Sequence, residues 1–280
     1  MARVLDREFH YSDDDFLRIR DLVGERTGIV LSEVKRDLVY SRLARRLRAL
    51  SLRSFSEYCE IIDGGDQDEL VNLVNAITTN LTAFFRESHH FDYLSNELLP
   101  GCIADKTKSR KLRIWSAGCS TGEEPYSIAM TVLENLPTHE KWDVDILATD
   151  LDSNVLAKAS AGVYNADRVE GMNRARLKRW FQRGAGSREG MVKVRPELKK
   201  IVRFKQLNLM NEWPLKDKVD IIFCRNVVIY FDKPTQRRLF DRMADMVVDR
   251  GSLFIGHSES LWKVSERFEA TGRTIYRKTH

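Results

Sequence analysis

A run of small residues between a predicted strand and a predicted helix constrains this chain more than any other feature. Leu112, Ile114 and Trp115 form an apolar cluster typical of a buried strand. Residues 116–122 follow, with glycines at 118 and 122, and apolar residues then recur at helical spacing from 128 to 136. This order predicts an open α/β sheet, in which ligands bind at the carboxyl ends of the strands.

The start of the predicted helix limits what can bind there. Thr121-Gly122-Glu123-Glu124 has the spacing of a capping box. A phosphate loop has a lysine after its second glycine, where this chain has two glutamates, and the pattern G-x-G-x-x-G is absent. These carboxylates would repel a diphosphate, whereas they suit a cationic nucleoside such as S-adenosylmethionine. For the motif alone, helix capping by Glu124 is the simpler explanation.

The second predicted strand favours the nucleoside. Val144, Ile146 and Leu147 lead into Asp150, which ends the strand. An acid about 20–30 residues after a glycine turn is where α/β folds grip ribose hydroxyls. We therefore predict that Asp150 binds a ribose.

Composition limits the class of protein. The 280 residues carry a net charge of +5, contain no apolar run as long as a membrane span, and begin without the apolar segment of a secretory signal. Adjacent His89 and His90 are expected to point apart on a helix, so no metal site is predicted. The four cysteines are scattered through the chain: Cys59, Cys102, Cys119 and Cys224. No two form a C-x-x-C pair, which argues against a zinc site or disulfides and favours a reducing cytoplasm.

Residues 1–80 are predicted to be helical. Ser12 is expected to cap a first helix, a second runs from about 32 to 50, and a third apolar face spans 70–77. Four basic residues share a stripe on the second helix: Lys35, Arg42, Arg45 and Arg46. Asp37 is the only acid in the sequence between residues 35 and 53. The stripe is either a solvated face or a docking surface for a nucleic-acid backbone or an acidic protein helix.

After Asp150, Asp152 or Ser153 is expected to cap a helix. Residues 162–200 break the alternation of strands and helices and have β-hairpin character. A strand is then predicted at Val219–Cys224, a helix from Lys233 that Gly251 ends, a strand at 253–255 and a final hairpin at 268–278.

Six stretches, in this order, resemble one family. They read TTNLTAFFRE at 78–87, WSAGCSTGEEPYS at 115–127, ATDLD at 148–152, NL at 208–209, FCRNVVIYF at 223–231 and GHSE at 256–259. The chain resembles the CheR family of chemotaxis receptor methyltransferases over nearly its whole length.

This resemblance implies a protein-glutamate O-methyltransferase with two domains. An all-helical domain over residues 1–82 would dock on chemoreceptors. A Rossmann-like S-adenosylmethionine methyltransferase domain would cover 83–280, with a small inserted β-subdomain at about 163–201 that grips a tethering peptide at the receptor's C-terminus. The implied products are glutamate methyl esters and S-adenosylhomocysteine. We expect a cytoplasmic monomer with no metal, no nucleic-acid partner and no insertion into the membrane.

The resemblance also assigns residues. Arg86 and Tyr230 would lie near the transferred methyl, and the basic stripe would be the receptor-docking helix. The implied cofactor contacts are Asn80, Thr82, Arg86, Glu124, Asp150, Asn208, Leu209, Arg225 and Asn226. A glutamate nucleophile is already ionised at neutral pH. The residues therefore need to position groups rather than remove a proton, with Tyr230 either a hydrogen-bond donor or a packed aromatic.

Two other functions remain open at this point. A nucleic-acid methyltransferase would suit the basic stripe, but Cys224-Arg225-Asn226-Val227-Val228 stands where base-amine methyltransferases typically have Pro-Pro-aromatic. Basic residues interleaved with aromatic ones, which would stack on bases, are also missing. A non-catalytic module that senses S-adenosylmethionine is the second alternative.

Overall fold

The computed structural model describes residues 7–105, 110–213, 215 and 217–279. It divides into two compact units. A helical unit contains the residues up to Thr79 together with Tyr230–Asp232, and a sheet unit contains Asn80–Ile229 and Lys233–His280. The division falls between Thr79 and Asn80, where the sequence predicted a boundary at residue 82.

The helical unit contains α1 (Asp13–Thr27), α2 (Arg36–Leu50), α3 (Phe55–Asp63) and α4 (Gln67–Ile77), with a 3-10 turn at Glu33–Lys35. The predicted cap at Ser12 is confirmed, because its hydroxyl accepts from the Asp15 N–H and the Asp15 carboxylate accepts from the Ser12 N–H. Helix α3 was missed, although Ser54 caps it. Its buried side chains have helical spacing: Phe55, Tyr58, Cys59 and Ile62.

The main sheet of the second unit has, in the part of the chain that is described, seven strands in the order β6-β2-β1-β7-β8-β10-β9. They are β1 (Lys111–Ala117), β2 (Asp143–Asp150), β6 (Val202–Gln206), β7 (Val219–Cys224), β8 (Val247–Ile255), β9 (Phe268–Gly272) and β10 (Ile275–Lys278). The first five strands in that order are parallel, and β10 pairs antiparallel with β8 and β9. The predicted open α/β sheet and final hairpin are confirmed.

Among its described residues, this unit has seven helices: α5 (His89–Tyr93), α6 (Leu99–Ala104), α7 (Glu123–Asn135), α8 (Ser153–Ala161), α9 (Arg174–Trp180), α10 (Pro196–Ile201) and α11 (Lys233–Met246). A π-helical turn, Leu94–Leu98, joins α5 to α6. The main apolar core brings strand side chains together with α7, through Ile114, Ile146, Phe223, Phe254 and Ile128. Burial of these residues fixes the strands on which the site is built. No helix in the described part of the chain is long and apolar enough to cross a bilayer.

A second, three-stranded antiparallel sheet lies where the sequence predicted an insertion. Its order is β3-β5-β4, with β3 at Val163–Asn165, β4 at Phe181–Arg183 and β5 at Met191–Val194. The β-character predicted for this insertion is therefore confirmed, with one strand more than a hairpin.

The role predicted for Gly251 is wrong. Helix α11 ends at Met246, and β8 runs through Gly251. A Cβ at this position would lie 2.7 Å from the carbonyl oxygen of Asp220 on β7. The glycine therefore permits two strands to approach closely and does not mark a helix end.

Candidate active site

The carboxyl ends of the parallel strands form one edge of the main sheet. From β1 the chain proceeds outward to β2 and β6, then crosses back to β7 and β8 on the other side of β1. The strand order thus reverses between β1 and β7. In open α/β sheets this reversal opens a crevice outside the strand ends, where ligands bind.

The glycine turn lies directly after β1. Gly118 adopts φ +85°, and a Cβ on it would lie 2.3 Å from Val227 Cγ2 in the loop after β7. The N–H groups of Gly118 and Cys119 both donate to the Thr149 carbonyl, at 2.8 and 2.9 Å. The turn is therefore held against the end of β2 in a conformation that only glycine adopts without a clash.

The predicted capping box at Thr121 is wrong. Gly122 is the N-cap residue of α7, and Thr121 Oγ1 donates instead to Glu123 Oε2 at 2.6 Å. Glu124 accepts from Ser116 Oγ at 2.7 Å and from Arg225 Nη1 at 3.0 Å. Burial raises the pKa of Glu124, and Arg225 and Ser116 oppose that shift. Among the described residues, Glu124 therefore bonds to Ser116 on β1 and to Arg225 after β7, and not to the backbone at the start of the helix.

Both glutamates at this helix start carry positive partners. Arg225 pairs with Glu124, and Arg168 pairs with the buried Glu123. These carboxylates are therefore not the free charges from which a cationic ligand was predicted, and that premise is wrong. A direct cofactor contact by Glu124 stays a prediction.

Asp150 ends β2 and faces the glycine turn. Its Oδ2 accepts from the Ser120 N–H at 2.7 Å, and its Oδ1 accepts from the Asp152 N–H at 3.0 Å. Burial raises the pKa of Asp150, while these backbone donors favour the ionised form. Each carboxylate oxygen has two lone pairs. Asp150 thus holds the turn and can also accept from ribose hydroxyls.

The predicted site residues Asn80 and Thr82 lie in the irregular segment before α5. Asn80 Nδ2 donates to Asp152 Oδ2 at 2.8 Å, and its carbonyl accepts from Ser120 Oγ at 3.0 Å. Asp152 also caps α8, as predicted. The Thr82 carbonyl accepts from Arg168 Nη2 at 2.7 Å. The structure therefore brings Asn80 to the turn that Asp150 holds.

Arg86, Arg225 and Asn226 meet beside β7. The Arg225 side chain is only 2% exposed. It donates to the Arg86 carbonyl and lies 3.4 Å from Glu87 Oε2. Arg86 Nη2 donates to Asn226 Oδ1 at 3.1 Å, and its Nη1 donates to the Leu81 carbonyl at 2.8 Å. Residues far apart in the chain therefore form one hydrogen-bonded cluster.

Asn208 and Leu209 follow β6, next to the end of β2. The Leu207 N–H donates to the Asp150 carbonyl at 2.9 Å, which ties this turn to β2. Asn208 Oδ1 accepts from the Met210 N–H at 2.9 Å, and the Leu209 carbonyl accepts from Trp213 Nε1 at 3.1 Å. This places both residues beside Asp150.

Glu87 ends the stretch at residues 78–87, but no role was predicted for it. Its Oε1 accepts from His257 Nδ1 at 2.9 Å and from Asn226 Nδ2 at 3.2 Å. Burial raises the pKa of Glu87, but the hydrogen bonds from His257 and Asn226 and the charge of Arg225 hold it at about 2. Its position directly after Arg86 is the sequence feature that could have indicated a role in the site.

The expectation that His89 and His90 point apart is wrong. Their ring centroids are 4.1 Å apart, and both Nε2 atoms face Thr274 Oγ1, at 3.5 and 2.9 Å. Burial and the charge of Arg225 lower the pKa of His90 to about 3, so its ring is neutral. With Glu87 these histidines offer ligand atoms within 4.8 Å of one another. The guanidinium of Arg225, 3.4 Å from Glu87, opposes a cation there.

In the helical unit, most side chains of the basic stripe contact other residues of the same unit. Arg42 donates to the Thr78 carbonyl at 2.8 Å and to the Ile77 carbonyl, and Arg46 binds the buried Glu69 through two bonds. Arg45 is exposed. Lys35 Nζ lies 5.4 Å from the centre of the Tyr230 ring, and the Tyr230 carbonyl accepts from the Val30 N–H at 2.9 Å.

The premise that this helix lacks compensating acids is wrong, because the acids come from other segments. Glu69 pairs with Arg46, Glu8 with Arg48 and Asp13 with Arg36. Whether the stripe docks a partner stays a prediction.

The chain matches two family descriptions. Residues 14–78 match "CheR methyltransferase, all-alpha domain", and residues 80–277 match "CheR methyltransferase, SAM binding domain". The sheet unit, with its glycine turn and acidic strand end, is thus that of an S-adenosylmethionine-dependent methyltransferase.

Two similar proteins show which kind of methyltransferase the chain resembles. The chain is 46% identical over 273 residues to chemotaxis protein methyltransferase 2 of Pseudomonas aeruginosa, covering 96% of this chain and 95% of that one. It is 43% identical over 268 residues to the chemotaxis protein methyltransferase of Escherichia coli, covering 95% and 91%. The chain belongs to the CheR methyltransferase family, which confirms the resemblance.

Proposed function

We propose that this enzyme methylates glutamate side chains in the cytoplasmic domain of chemoreceptors, forming methyl esters in sensory adaptation, and that it works in the cytoplasm as a monomer. The observation that carries the proposal is similarity, over more than 90% of both chains, to proteins named chemotaxis protein methyltransferase. The cluster of Arg86, Arg225 and Asn226 beside the strand ends supports it, because arginine recognises a carboxylate by paired hydrogen bonds.

The donors at the sheet edge fit S-adenosylmethionine. Asp150 would hold the ribose, with Asn208 and Leu209 beside it and Asn80 and Thr82 across the glycine turn. Glu124, Arg225, Arg86 and Asn226 would complete the site around the rest of the cofactor. When bound, the cofactor supplies a methyl group on an electrophilic sulfonium.

The residues act by positioning. A glutamate carboxylate is ionised at neutral pH, so no general base is required. In-line alignment can supply roughly 7–11 kcal/mol of the barrier. Arg86 carries five N–H donors, and its bonds to Leu81 and Asn226 fix the plane of the guanidinium that would orient the substrate carboxylate. Tyr230 would donate a hydrogen bond to the carboxylate or to the cofactor.

The first experiment measures the chemistry of the product. Chemoreceptor-containing membranes are incubated with methyl-labelled S-adenosylmethionine and then treated with mild alkali. We expect the label to be released as volatile methanol, because a carboxyl methyl ester hydrolyses under these conditions. Label that survives alkali would mean N- or C-methylation and would bring forward the nucleic-acid or amine substrates.

The three-stranded sheet is the proposed site for a tethering peptide. Strands β3 and β4 are its outer strands, and such edges accept an additional peptide strand by backbone hydrogen bonding. Receptors that lack their C-terminal residues test this role in the same assay. Equal methylation of intact and shortened receptors would argue against it.

The docking helix yields a second prediction. Arg45→Glu should lower receptor methylation by about 10-fold, since the exposed charge would be reversed while cofactor affinity stays unchanged. Arg26→Glu, an exposed position on α1 and not on the basic helix, is the control. Receptor titrations that give equal kcat/KM for Arg45→Glu and the wild type would contradict the docking role.

A further inference from the structure

A buried carboxylate outside the predicted site organises the loop after β7. Glu259 follows β8 and is 6% exposed. Its Oε2 accepts from the N–H groups of Asn226 and Gly256, at 2.9 and 2.5 Å. Its Oε1 accepts from the N–H groups of Val227 and Val228, both at 2.9 Å. Four backbone donors therefore converge on one side chain.

This arrangement requires an anion. Two donors on each oxygen use the lone pairs of an ionised carboxylate, and a protonated oxygen would turn its own hydrogen toward an N–H group. Three of the donors come from consecutive residues, 226–228, whose N–H groups all face Glu259. Consecutive N–H groups arranged in this way form an anion-binding nest.

The loop needs such a partner because one of its residues is left-handed. Asn226 adopts φ +58°, a conformation that asparagine tolerates better than other non-glycine residues but that is still less favourable than a right-handed or extended one. Strain of this kind persists only where the surroundings hold it. The bonds to Glu259 run from Asn226 itself and from the two residues after it.

The side chain of Asn226 carries this constraint into the active site. Its Oδ1 accepts from Arg86 Nη2 at 3.1 Å, and its Nδ2 donates to Glu87 Oε1 at 3.2 Å. The amide thereby connects the loop to the arginine proposed to orient the substrate. A shift of the Asn226 backbone would move both bonds together.

We propose that Glu259 is a positioning residue for methyl transfer: it holds Asn226 and, through that amide, fixes Arg86. It acts without contact to cofactor or substrate. The inference rests on the proposed roles of Arg86 and Asn226, and it adds a residue to which the sequence assigned no role.

A double-mutant cycle on cofactor affinity tests the coupling. Glu259→Gln keeps the shape but points an amide NH₂ at backbone donors, and we expect S-adenosylhomocysteine to bind about 10-fold more weakly. Asn226→Ala should cause a similar loss. The double variant should bind about as well as Asn226→Ala alone, because Glu259 acts through Asn226. Kd values come from calorimetry, and thermal unfolding is measured in parallel.

Glu134→Gln is the matched control. Glu134 is a carboxylate of the same unit that accepts from Arg176 and Trp180 at the far end of α7. This variant should lose stability without losing cofactor affinity. If Glu259→Gln does not fold, Glu259→Asp, which keeps the charge but shortens the reach, takes its place in the cycle.

Two results would overturn the proposal. One is a Glu259 variant with reduced stability but wild-type affinity for S-adenosylhomocysteine, as a purely structural residue would give. The other is fully additive losses in the cycle. Because the readout is cofactor binding, a wild-type enzyme that forms no receptor ester would overturn the proposed function without changing this result.

Discussion

Arg225→Met is expected to lower the free energy of unfolding by about 3–5 kcal/mol near neutral pH. Arg225 and Glu124 form a buried pair, with Nη1 and Oε2 3.0 Å apart. Removing the guanidinium leaves the Glu124 carboxylate with the neutral hydroxyl of Ser116 as a donor but without a positive partner from Arg225. An uncompensated charge in this environment costs far more than an ion pair at the surface.

The loss should depend on pH in a defined direction. Burial raises the pKa of Glu124, and Arg225 lowers it. Without Arg225 the pKa rises further, so the folded variant holds a proton that the unfolded chain releases. When the pKa of a carboxyl is higher in the folded state than in the unfolded state, its contribution to stability is complete at pH values below the unfolded-state pKa. That contribution is lost as the pH rises through the folded-state pKa. The deficit should therefore be small near pH 5 and larger near pH 8, in urea unfolding at both.

Two variants isolate the cause. Glu124→Gln combined with Arg225→Met removes both charges and should recover part of the stability. Arg203→Met breaks an exposed pair with Asp145 and should cost less than about 1 kcal/mol. A double variant as unstable as Arg225→Met, with the same deficit at both pH values, would mean that lost packing and not the isolated carboxylate destabilises the protein.

This pair shows where sequence reasoning reached its limit. Glu124 and Arg225 are 101 residues apart, and no local period relates them. The spacing of residues 121–124 correctly predicted a helix start, because strand, turn and helix leave local patterns. It failed on the cap, because a capping-box pattern does not record the hydroxyl of Ser116 on the preceding strand or an arginine on another loop.

The basic stripe failed for a related reason. Counting acids between residues 35 and 53 measures neighbours along the chain, but Glu69 and Glu8 reach the helix through the fold. The histidine pair was misjudged because a helical wheel ignores which partner the side chains share, here Thr274. Glu259 stood in the stretch at 256–259, but three of its backbone partners lie 31–33 residues away, so no local pattern indicated its role.

Asp150, in contrast, was predicted correctly as a strand-ending acid beside the turn, and its role can be measured. Asp150→Ala should weaken binding of S-adenosylhomocysteine by about 100-fold or more. Two hydrogen bonds to a carboxylate contribute about 1.5–3 kcal/mol each, and about 1.4 kcal/mol is a factor of ten in Kd. Loss of the bond to the Ser120 N–H would also loosen the turn. Calorimetry gives Kd directly.

A deoxygenated ligand separates direct ribose contact from support of the turn. If Asp150 binds the ribose, the wild type should bind the 2′-deoxy analogue of S-adenosylhomocysteine more weakly than the parent, and Asp150→Ala should bind both alike. The control is Asp143→Ala, because Asp143 is exposed and lies at the opposite end of β2. This variant should bind the 2′-deoxy analogue more weakly than the parent, as the wild type does. Persistent discrimination by Asp150→Ala would mean that the carboxylate only shapes the turn. Unchanged affinity for the parent would remove Asp150 from the site, since loss of either the ribose bonds or the turn must weaken binding.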